Sequence, residues 1–342
     1  MNNLLDFWTD ETSEPIIETK PELPLEFQKC KQFGVPYMGS KNKIVKKLIE
    51  QLPSAKYFID LFAGGCAMTH GAMLSGKYER FIANDISDAP SLFLDAINGK
   101  FKNETRWISR DDFFALKDKE PYVRYCWSFG NNGKGYMYSR EIEPYKKAFW
   151  EFAVFKNAEP LRAYGFNIDE LLDLPTSYER RIVFRQYLAK LPFIDKKGSH
   201  FYYKPSEIKK YKGFDNNTML DALQSLQRLE SLQNLENLEN FENLEIHQKS
   251  YNEVELPNSN DCIIYLDPPY KDTVSYLSGS FNHDEFYDWC IEKAKQGYKI
   301  FISEYDMPSD RFKSIFNVAK RQQLHHLGAG KLKQEHLFIP II

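Results

Sequence analysis

Two strand patterns joined by a glycine turn and a helix constrain the fold of this chain more than any other feature. Residues 57–62 (YFIDLF) predict a buried strand, and AGGCAMTHGAML after them turns from glycines into a helix. Residues 80–86 (RFIANDI) predict a second strand, and SLFLDAI predicts a helix after it. A strand, a helix and a strand at this spacing indicate a parallel βαβ unit.

This α/β pattern breaks off and returns much later in the chain. Residues 41–52 predict a helix before the first strand, whereas residues 105–246 look mostly helical, with glycine-rich and basic-aromatic loops. Strands are then predicted at 261–266 (DCIIYL), in YKIFISEY, around Val318 and in HLFIPII, with a helix in DEFYDWCIEKAKQ. We therefore expect one α/β sheet, formed by residues 33–104 and 247–342 and interrupted by an insertion at 105–246.

Charge is segregated along the chain, so the net charge of −3 conceals a basic region. Residues 1–27 hold seven acids and one lysine, and we expect residues 1–32 to form an acidic, disordered arm. Residues 178–212 hold ten Lys and Arg against three acids, and residues 221–246 hold six acids and one arginine. The basic stretch is therefore a candidate for binding a polyanion.

A low-complexity repeat occupies residues 223–244, where Leu, or Phe at position 241, recurs at every third residue. An α-helix advances about 300° in three residues, so this stripe cannot stay on one face over the whole length. We predict a helix over the first part and a break before the strand-like LEIHQ. A leucine-rich-repeat solenoid is the alternative, but its repeats are much longer.

Several classes of protein are disfavoured. The longest apolar runs are far shorter than a membrane span, and the acidic N-terminus lacks the basic start of a signal peptide. The five cysteines are scattered without a C-x-x-C pair, which argues against zinc and disulfides and favours a reducing cytoplasm.

Two segments could bind a nucleotide-like ligand. Residues 60–65 (DLFAGG) lie where the first strand becomes a helix, and Asp85 follows 20 residues after Gly65, where α/β folds place a carboxylate that bonds ribose hydroxyls. Residues 36–41 (PYMGSK) bring an aromatic ring and a cation to the first helix. From these residues alone, a glycine-rich turn with a buried Asp cap and an ordinary helix entry explain the segments as well.

The tetrapeptide Asp267-Pro268-Pro269-Tyr270, at the end of an apolar strand, carries a stronger chemical signal. Two prolines remove two N–H donors, so the segment presents acceptors: backbone carbonyls and the Asp267 carboxylate. Acceptors of this kind hold the two hydrogens of an exocyclic amine and direct its lone pair toward a methyl donor. The ring of Tyr270 supplies a face on which the heterocyclic base that carries such an amine could stack.

PYMGSK, FIDLFAGG and DPPY in this order resemble the Dam-like (D12) class of DNA adenine-N6 methyltransferases, and the resemblance covers residues 33–342. It weakly includes SEYDMP at 303–308 and Glu335-His336-Leu337. The resemblance implies a Rossmann-like methyltransferase sheet that uses S-adenosyl-L-methionine, with a mainly helical target-recognition insertion.

It also implies that Asp267, Pro268, Pro269 and Tyr270 are catalytic. Tyr37 stands where many relatives have tryptophan, and ring stacking survives that change. The cofactor contacts that the resemblance implies are Tyr37, Lys41, Asp60, Phe62, Gly64, Asp85 and Asp267.

The insertion offers DNA contacts. Basic side chains neutralise phosphates, and the helix YERRIVFRQYL is expected to bury Ile182, Val183 and Leu188 and to expose its arginines. The glycine-rich loop 128–136 could enter the duplex, although a hairpin turn would look the same. A solvated basic face is the alternative for the helix. The predicted DNA-binding residues are Arg180, Arg181, Arg185, Lys196, Lys197, Asn131 and Asn132.

Together these observations predict a site-specific adenine methyltransferase that flips its target base out of double-stranded DNA. We expect no metal, no covalent enzyme intermediate and no membrane association, and a monomer or weak dimer. N4-cytosine methylation, methylation of RNA or a protein amide, and an inactive DNA-binding relative are the alternatives.

Overall fold

The structure is a computed structural model that describes residues 23–235, 238, 241–270, 281–321 and 332–342 of the chain. The helices are α1 Leu25–Lys29, α2 Val45–Ile49, α3 Ala67–Leu74, α4 Ala89–Ile97, α5 Arg110–Leu116, α6 Pro121–Cys126, α7 Glu143–Phe155, α8 Glu159–Arg162, α9 Ser177–Leu188, α10 Pro205–Ile208, α11 Gln224–Gln233 and α12 His283–Lys295. The strands are β1 Tyr57–Asp60, β2 Arg80–Asn84, β3 Ile194–Lys197, β4 His200–Tyr203, β5 Leu244–His247, β6 Cys262–Leu266, β7 Lys299–Glu304, β8 Phe312–Arg321 and β9 Leu332–Pro340.

The described residues form two compact units. Unit 1 lies within residues 1–97 and 237–342, and unit 2 comprises residues 98–236. The expected boundaries were 104/105 and 246/247. The observed divisions fall earlier because α4 ends at Ile97 and because β5 pairs with β2 in the sheet of unit 1.

Unit 1 contains a sheet with the strand order β5-β2-β1-β6-β7-β9-β8. The first five strands run parallel, whereas β9 is antiparallel to both β7 and β8. Every residue of β6 is buried, as expected for a central strand whose two faces are both covered. One face packs against α12, through Phe286 and Cys290 among other residues. The predicted Rossmann-like α/β sheet is confirmed.

The beginning of unit 1 differs from prediction in two places. Residues 25–29 form α1, and Phe27 is 1% exposed with its ring 5.8 Å from Phe33. The expectation of disorder through residue 32 is therefore wrong for α1, while residues 1–22 lie outside the described residues. The helix predicted at 41–52 is shorter, because the backbone from Lys41 to Ile44 forms a turn before α2.

Unit 2 combines the helices α5 to α11 with a two-stranded hairpin of β3 and β4. The mainly helical character was predicted, but the hairpin was not. In the leucine repeat, α11 buries Leu226, Leu229 and Leu232, and β5 begins at Leu244. The predicted helix and the later strand are thus confirmed, although residues 236, 237, 239 and 240 between them are outside the described part.

Predictions from the sequence also concerned the cysteines and membrane spans. All five cysteines carry free thiols. In the described ranges, no helix is both long and apolar enough to cross a membrane.

Candidate active site

Three acidic side chains lie at the carboxyl ends of neighbouring parallel strands in unit 1. Asp60 ends β1, Asp85 follows β2 and Asp267 follows β6. Because β1 pairs with both β2 and β6 in parallel register, these ends meet at one edge of the sheet. This edge is where open α/β sheets bind their ligands, so the structure brings the predicted cofactor and catalytic residues together.

Asp267 forms a close ion pair with Lys41. The Lys41 Nζ lies 2.5 Å from Asp267 Oδ1, and it also donates to the Tyr270 hydroxyl at 2.5 Å. A second carboxylate, Glu335 on β9, lies 3.2 Å from the same ammonium group. Burial opposes the charge on Lys41, but Asp267 and Glu335 outweigh it and raise the pKa of Lys41. Lys41 is therefore charged at neutral pH.

Tyr270 is fixed by polar and aromatic contacts. Its hydroxyl donates a hydrogen bond to Glu335 Oε1, and its ring meets Tyr305 edge-on at a centroid distance of 4.5 Å. Burial, together with Asp267 and Glu335, raises the pKa of the Tyr270 hydroxyl well above its usual value. The Pro269 carbonyl is 2.9 Å from Nε2 of His283 at the start of α12. The tetrapeptide from Asp267 to Tyr270 is thus held by side chains that are distant from it in the sequence of unit 1.

Two buried carboxyl groups near this centre are protonated at neutral pH. Burial, together with the nearby charge of Asp267, raises the pKa of Glu304 to about 8, although a hydrogen bond from the Tyr305 N–H opposes the shift. Burial likewise raises the pKa of Asp60 to about 8, although a hydrogen bond from Thr69 Oγ1 at 2.9 Å opposes the shift. Neither Glu304 Oε2 nor Asp60 Oδ1 has a hydrogen-bond partner among the described residues. Keeping both groups neutral limits the negative charge around Asp267.

The turn after β1 requires glycine at position 64. Gly64 has a φ of +48°, and a Cβ there would lie 2.6 Å from the Tyr37 ring. Its N–H donates to Asp85 Oδ2 at 2.8 Å, while Asp85 Oδ1 accepts from both the N–H and the hydroxyl of Ser87. Burial raises the pKa of Asp85. Tyr37, the glycine turn and the Asp85 carboxylate therefore form one connected surface.

Phe62 belongs to an aromatic cluster beside this turn. Its ring stacks on Tyr251 at 5.3 Å and meets Phe281 and Phe286 edge-on. The ring is partly buried, so it presents apolar surface next to the site.

In unit 2 the predicted exposure of Arg180 and Arg181 is wrong. Arg180 is 3% exposed and donates from Nε to the Ala153 carbonyl at 2.7 Å. Arg181 is also buried and pairs with Glu230 at 2.6 Å. The buried face of α9 consists of Arg180, Arg181, Phe184 and Leu188, whereas Ile182 and Val183 are only partly buried. Guanidinium groups that find acceptors inside the protein can occupy positions that a hydrophobic pattern assigns to solvent.

The other basic candidates remain accessible. Arg185 is partly exposed, although its Nε lies 3.0 Å from Asp221 Oδ2. Lys196 and Lys197 are exposed on the β3–β4 hairpin, whose strands are joined by Gly198 and Ser199, with Gly198 at a φ of +59°. A two-residue loop between strand patterns, with glycine at positive φ, was the signal that could have predicted this hairpin.

Asn131 and Asn132 stabilise the loop that carries them. Asn131 Nδ2 donates to the Tyr125 carbonyl at 2.9 Å, and Asn132 Oδ1 accepts from the Lys134 N–H at 2.9 Å. An isolated antiparallel bridge joins Ser128 to Tyr136, so the loop forms a hairpin-like turn. Phe129, which is 54% exposed, is the prominent side chain on it.

Comparison with known families is consistent with this geometry. The family model described as D12 class N6 adenine-specific DNA methyltransferase matches residues 37–325. No curated protein matches the chain. The matched range includes Lys41, Asp85 and the tetrapeptide from Asp267 to Tyr270, whereas Glu335 lies beyond it.

Proposed function

Because this chain belongs to the D12 class N6 adenine-specific DNA methyltransferase family, we propose that its Asp267 centre methylates the N6 amine of an adenine flipped out of duplex DNA. The protein is an adenine-specific DNA methyltransferase. The observation that carries the assignment of the site is the buried ion pair between Lys41 and Asp267, located where β6 runs into two prolines.

The acceptors of this segment suit an exocyclic amine. The Asp267 carboxylate and the Pro268 carbonyl would each accept a hydrogen bond from the amine. The lone pair of the amine nitrogen would then point away from both acceptors. As the new N–C bond forms and the bond between the methyl group and the sulfur of the donor breaks, positive charge would develop on the nitrogen, and Asp267 would stabilise it and take one amine proton. Tyr270, held by Glu335 and Tyr305, presents its ring to the base.

The methyl donor that we propose is S-adenosyl-L-methionine, which supplies a methyl group already activated by a positively charged sulfonium. The residues of unit 1 fit such a molecule. The Asp85 carboxylate suits ribose hydroxyls, and the surface of Tyr37, Phe62 and Gly64 suits a flat ring and a closely approaching backbone. Asp60 Oδ1 has no partner among the described residues, which supports a polar ligand beside it. Lys41 contributes by orienting Asp267.

Unit 2 is proposed to bind and read the DNA. Lys196 and Lys197 on the hairpin, with Arg185 beside it, form the accessible basic group that would neutralise phosphates. Asn131 and Asn132 would act by shaping the loop that contains Phe129. Arg180 and Arg181 are not included, because their side chains are buried and bonded internally.

Analysis of the methylated product tests this proposal. Purified protein is incubated with unmethylated duplex DNA and methyl-labelled S-adenosyl-L-methionine, and the DNA is digested to nucleosides for mass spectrometry. Labelled N6-methyladenine is the expected product. Label on cytosine N4, or unlabelled DNA that the protein nevertheless binds, would overturn the proposal.

A further inference from the structure

Glu335 is a fully buried acid on β9. Its side chain is 0% exposed, and Leu337, Phe338 and Ile339, which follow it closely, are buried hydrophobic residues. Removing a carboxylate from water costs several kcal/mol unless charged and hydrogen-bonding partners compensate for it. The partners of Glu335 therefore indicate why a carboxylate occupies this position.

Those partners belong to the catalytic centre. Glu335 Oε1 accepts the hydrogen bond of the Tyr270 hydroxyl and lies 3.2 Å from Lys41 Nζ. Lys41 Nζ in turn donates to both Tyr270 and Asp267, each at 2.5 Å. One carboxylate on β9 thus holds the cation and the aromatic ring that flank Asp267.

The charges of this cluster do not cancel. Lys41 contributes one positive charge, whereas Asp267 and Glu335 contribute two negative charges within 4 Å of it. Without Glu335, the positive charge of Lys41 would cancel the negative charge of Asp267, and the cluster would be neutral. With it, the cluster retains a negative charge where the amine nitrogen becomes positive during methyl transfer. Charge that is fixed in place before the reaction stabilises a transition state strongly in a site that excludes water.

We propose that Glu335 is a positioning residue for methyl transfer, which orients Lys41 and Tyr270 around Asp267 and keeps their cluster negatively charged. It lies on β9, outside the residues matched by the family model. The inference rests on the proposed role of Asp267 in the transfer.

The variant Glu335→Gln tests this role, because glutamine keeps an acceptor for Tyr270 but removes the charge. We expect kcat to fall about 10- to 100-fold while the KM values for DNA and cofactor change by less than about threefold. Glu335→Asp, which keeps the charge, should recover part of the rate. The matched control is Ile339→Val, a mild core substitution on the same strand that should lower stability but not kcat.

A second measurement separates a positioning role from a structural one. In a double-mutant cycle with Tyr270→Phe, the losses in kcat should be non-additive, because both substitutions disturb one interaction. Additive losses, or a Glu335→Gln enzyme with kcat within about twofold of the wild type, would overturn the inference. A wild-type protein that does not methylate adenine would instead refute the proposed function.

Discussion

Lys41 and Asp267, which are 226 residues apart in the sequence, form an ion pair of 2.5 Å in the interior of unit 1. Lys41 is 4% exposed and Asp267 is 19% exposed, so water screens the pair little. The pair joins the turn before α2 to the end of β6, and it therefore links the first predicted cofactor motif directly to the predicted catalytic motif.

Removing the cation should damage both stability and catalysis. In Lys41→Met, the carboxylates of Asp267 and Glu335 lose the ammonium between them, and a broken buried ion pair typically costs about 3–5 kcal/mol. We expect a large decrease in the melting temperature and in kcat. The control is Lys43→Met, since Lys43 is exposed. A Lys41→Met protein that melts like the control would contradict this view of the cluster.

Removing the acceptor should abolish catalysis but spare binding. Asp267→Ala takes away the carboxylate that we assign to the amine, so we expect kcat to fall by about 10³-fold or more. DNA affinity, measured by fluorescence anisotropy, should stay close to that of the wild type, because the proposed phosphate contacts are in unit 2. Asp310→Ala, at an exposed acid, is the control. Substantial turnover by Asp267→Ala would refute the assigned role.

Glu304 should make the protein less stable at alkaline pH. Its pKa rises from 4.5 to about 8 in the folded state, so the folded protein retains a proton that the unfolded chain releases. The stabilisation is fully present below about pH 4.5 and is lost as the pH rises through 8. Between pH 6 and 8 the free energy of unfolding should fall by roughly 2 kcal/mol from this group.

Thermal melts of Glu304→Gln at both pH values measure this effect, because glutamine cannot ionise. The variant should lose less stability between pH 6 and 8 than the wild type does. Glu245→Gln, at an exposed acid, should leave the wild-type pH dependence unchanged. Identical pH dependence in Glu304→Gln and the wild type would show that Glu304 is already ionised at neutral pH.

Arginines and lysines of the basic stretch should respond differently to substitution. Arg181→Ala leaves the largely buried Glu230 without its ion-pair partner, so we expect the free energy of unfolding to fall by about 3 kcal/mol. The double variant Lys196→Ala/Lys197→Ala should fold normally and bind DNA more weakly. Its slope of log affinity against log salt should be smaller by about 2. If the Arg181→Ala protein were stable and its salt dependence decreased like that of the double lysine variant, Arg181 would instead be a DNA contact.

Local patterns in the sequence predicted most of unit 1. The apolar runs of β1, β2, β6 and β7 are central strands of the sheet, and short-range periodicity suffices to identify such strands. The order of PYMGSK, FIDLFAGG and DPPY indicated the family by resemblance, and the match of the D12 family model confirms it. The repeat at 223–244 was correctly expected to begin as a helix, because a stripe with a three-residue period stays near one helix face over a short length.

The sequence alone therefore determined the fold class, the family and the strand ends that carry Asp60, Asp85 and Asp267. Tertiary structure decided which charged side chains are buried and what they contact. Arg181 was predicted to be exposed because charged side chains usually face solvent. In the folded protein, however, Glu230 forms an ion pair with it inside unit 2. Glu335 looked like one acid in a C-terminal strand, but folding brings it against Lys41 and Tyr270. Desolvation and pairing depend on neighbours that are distant in sequence, so periodicity and composition could not reveal them.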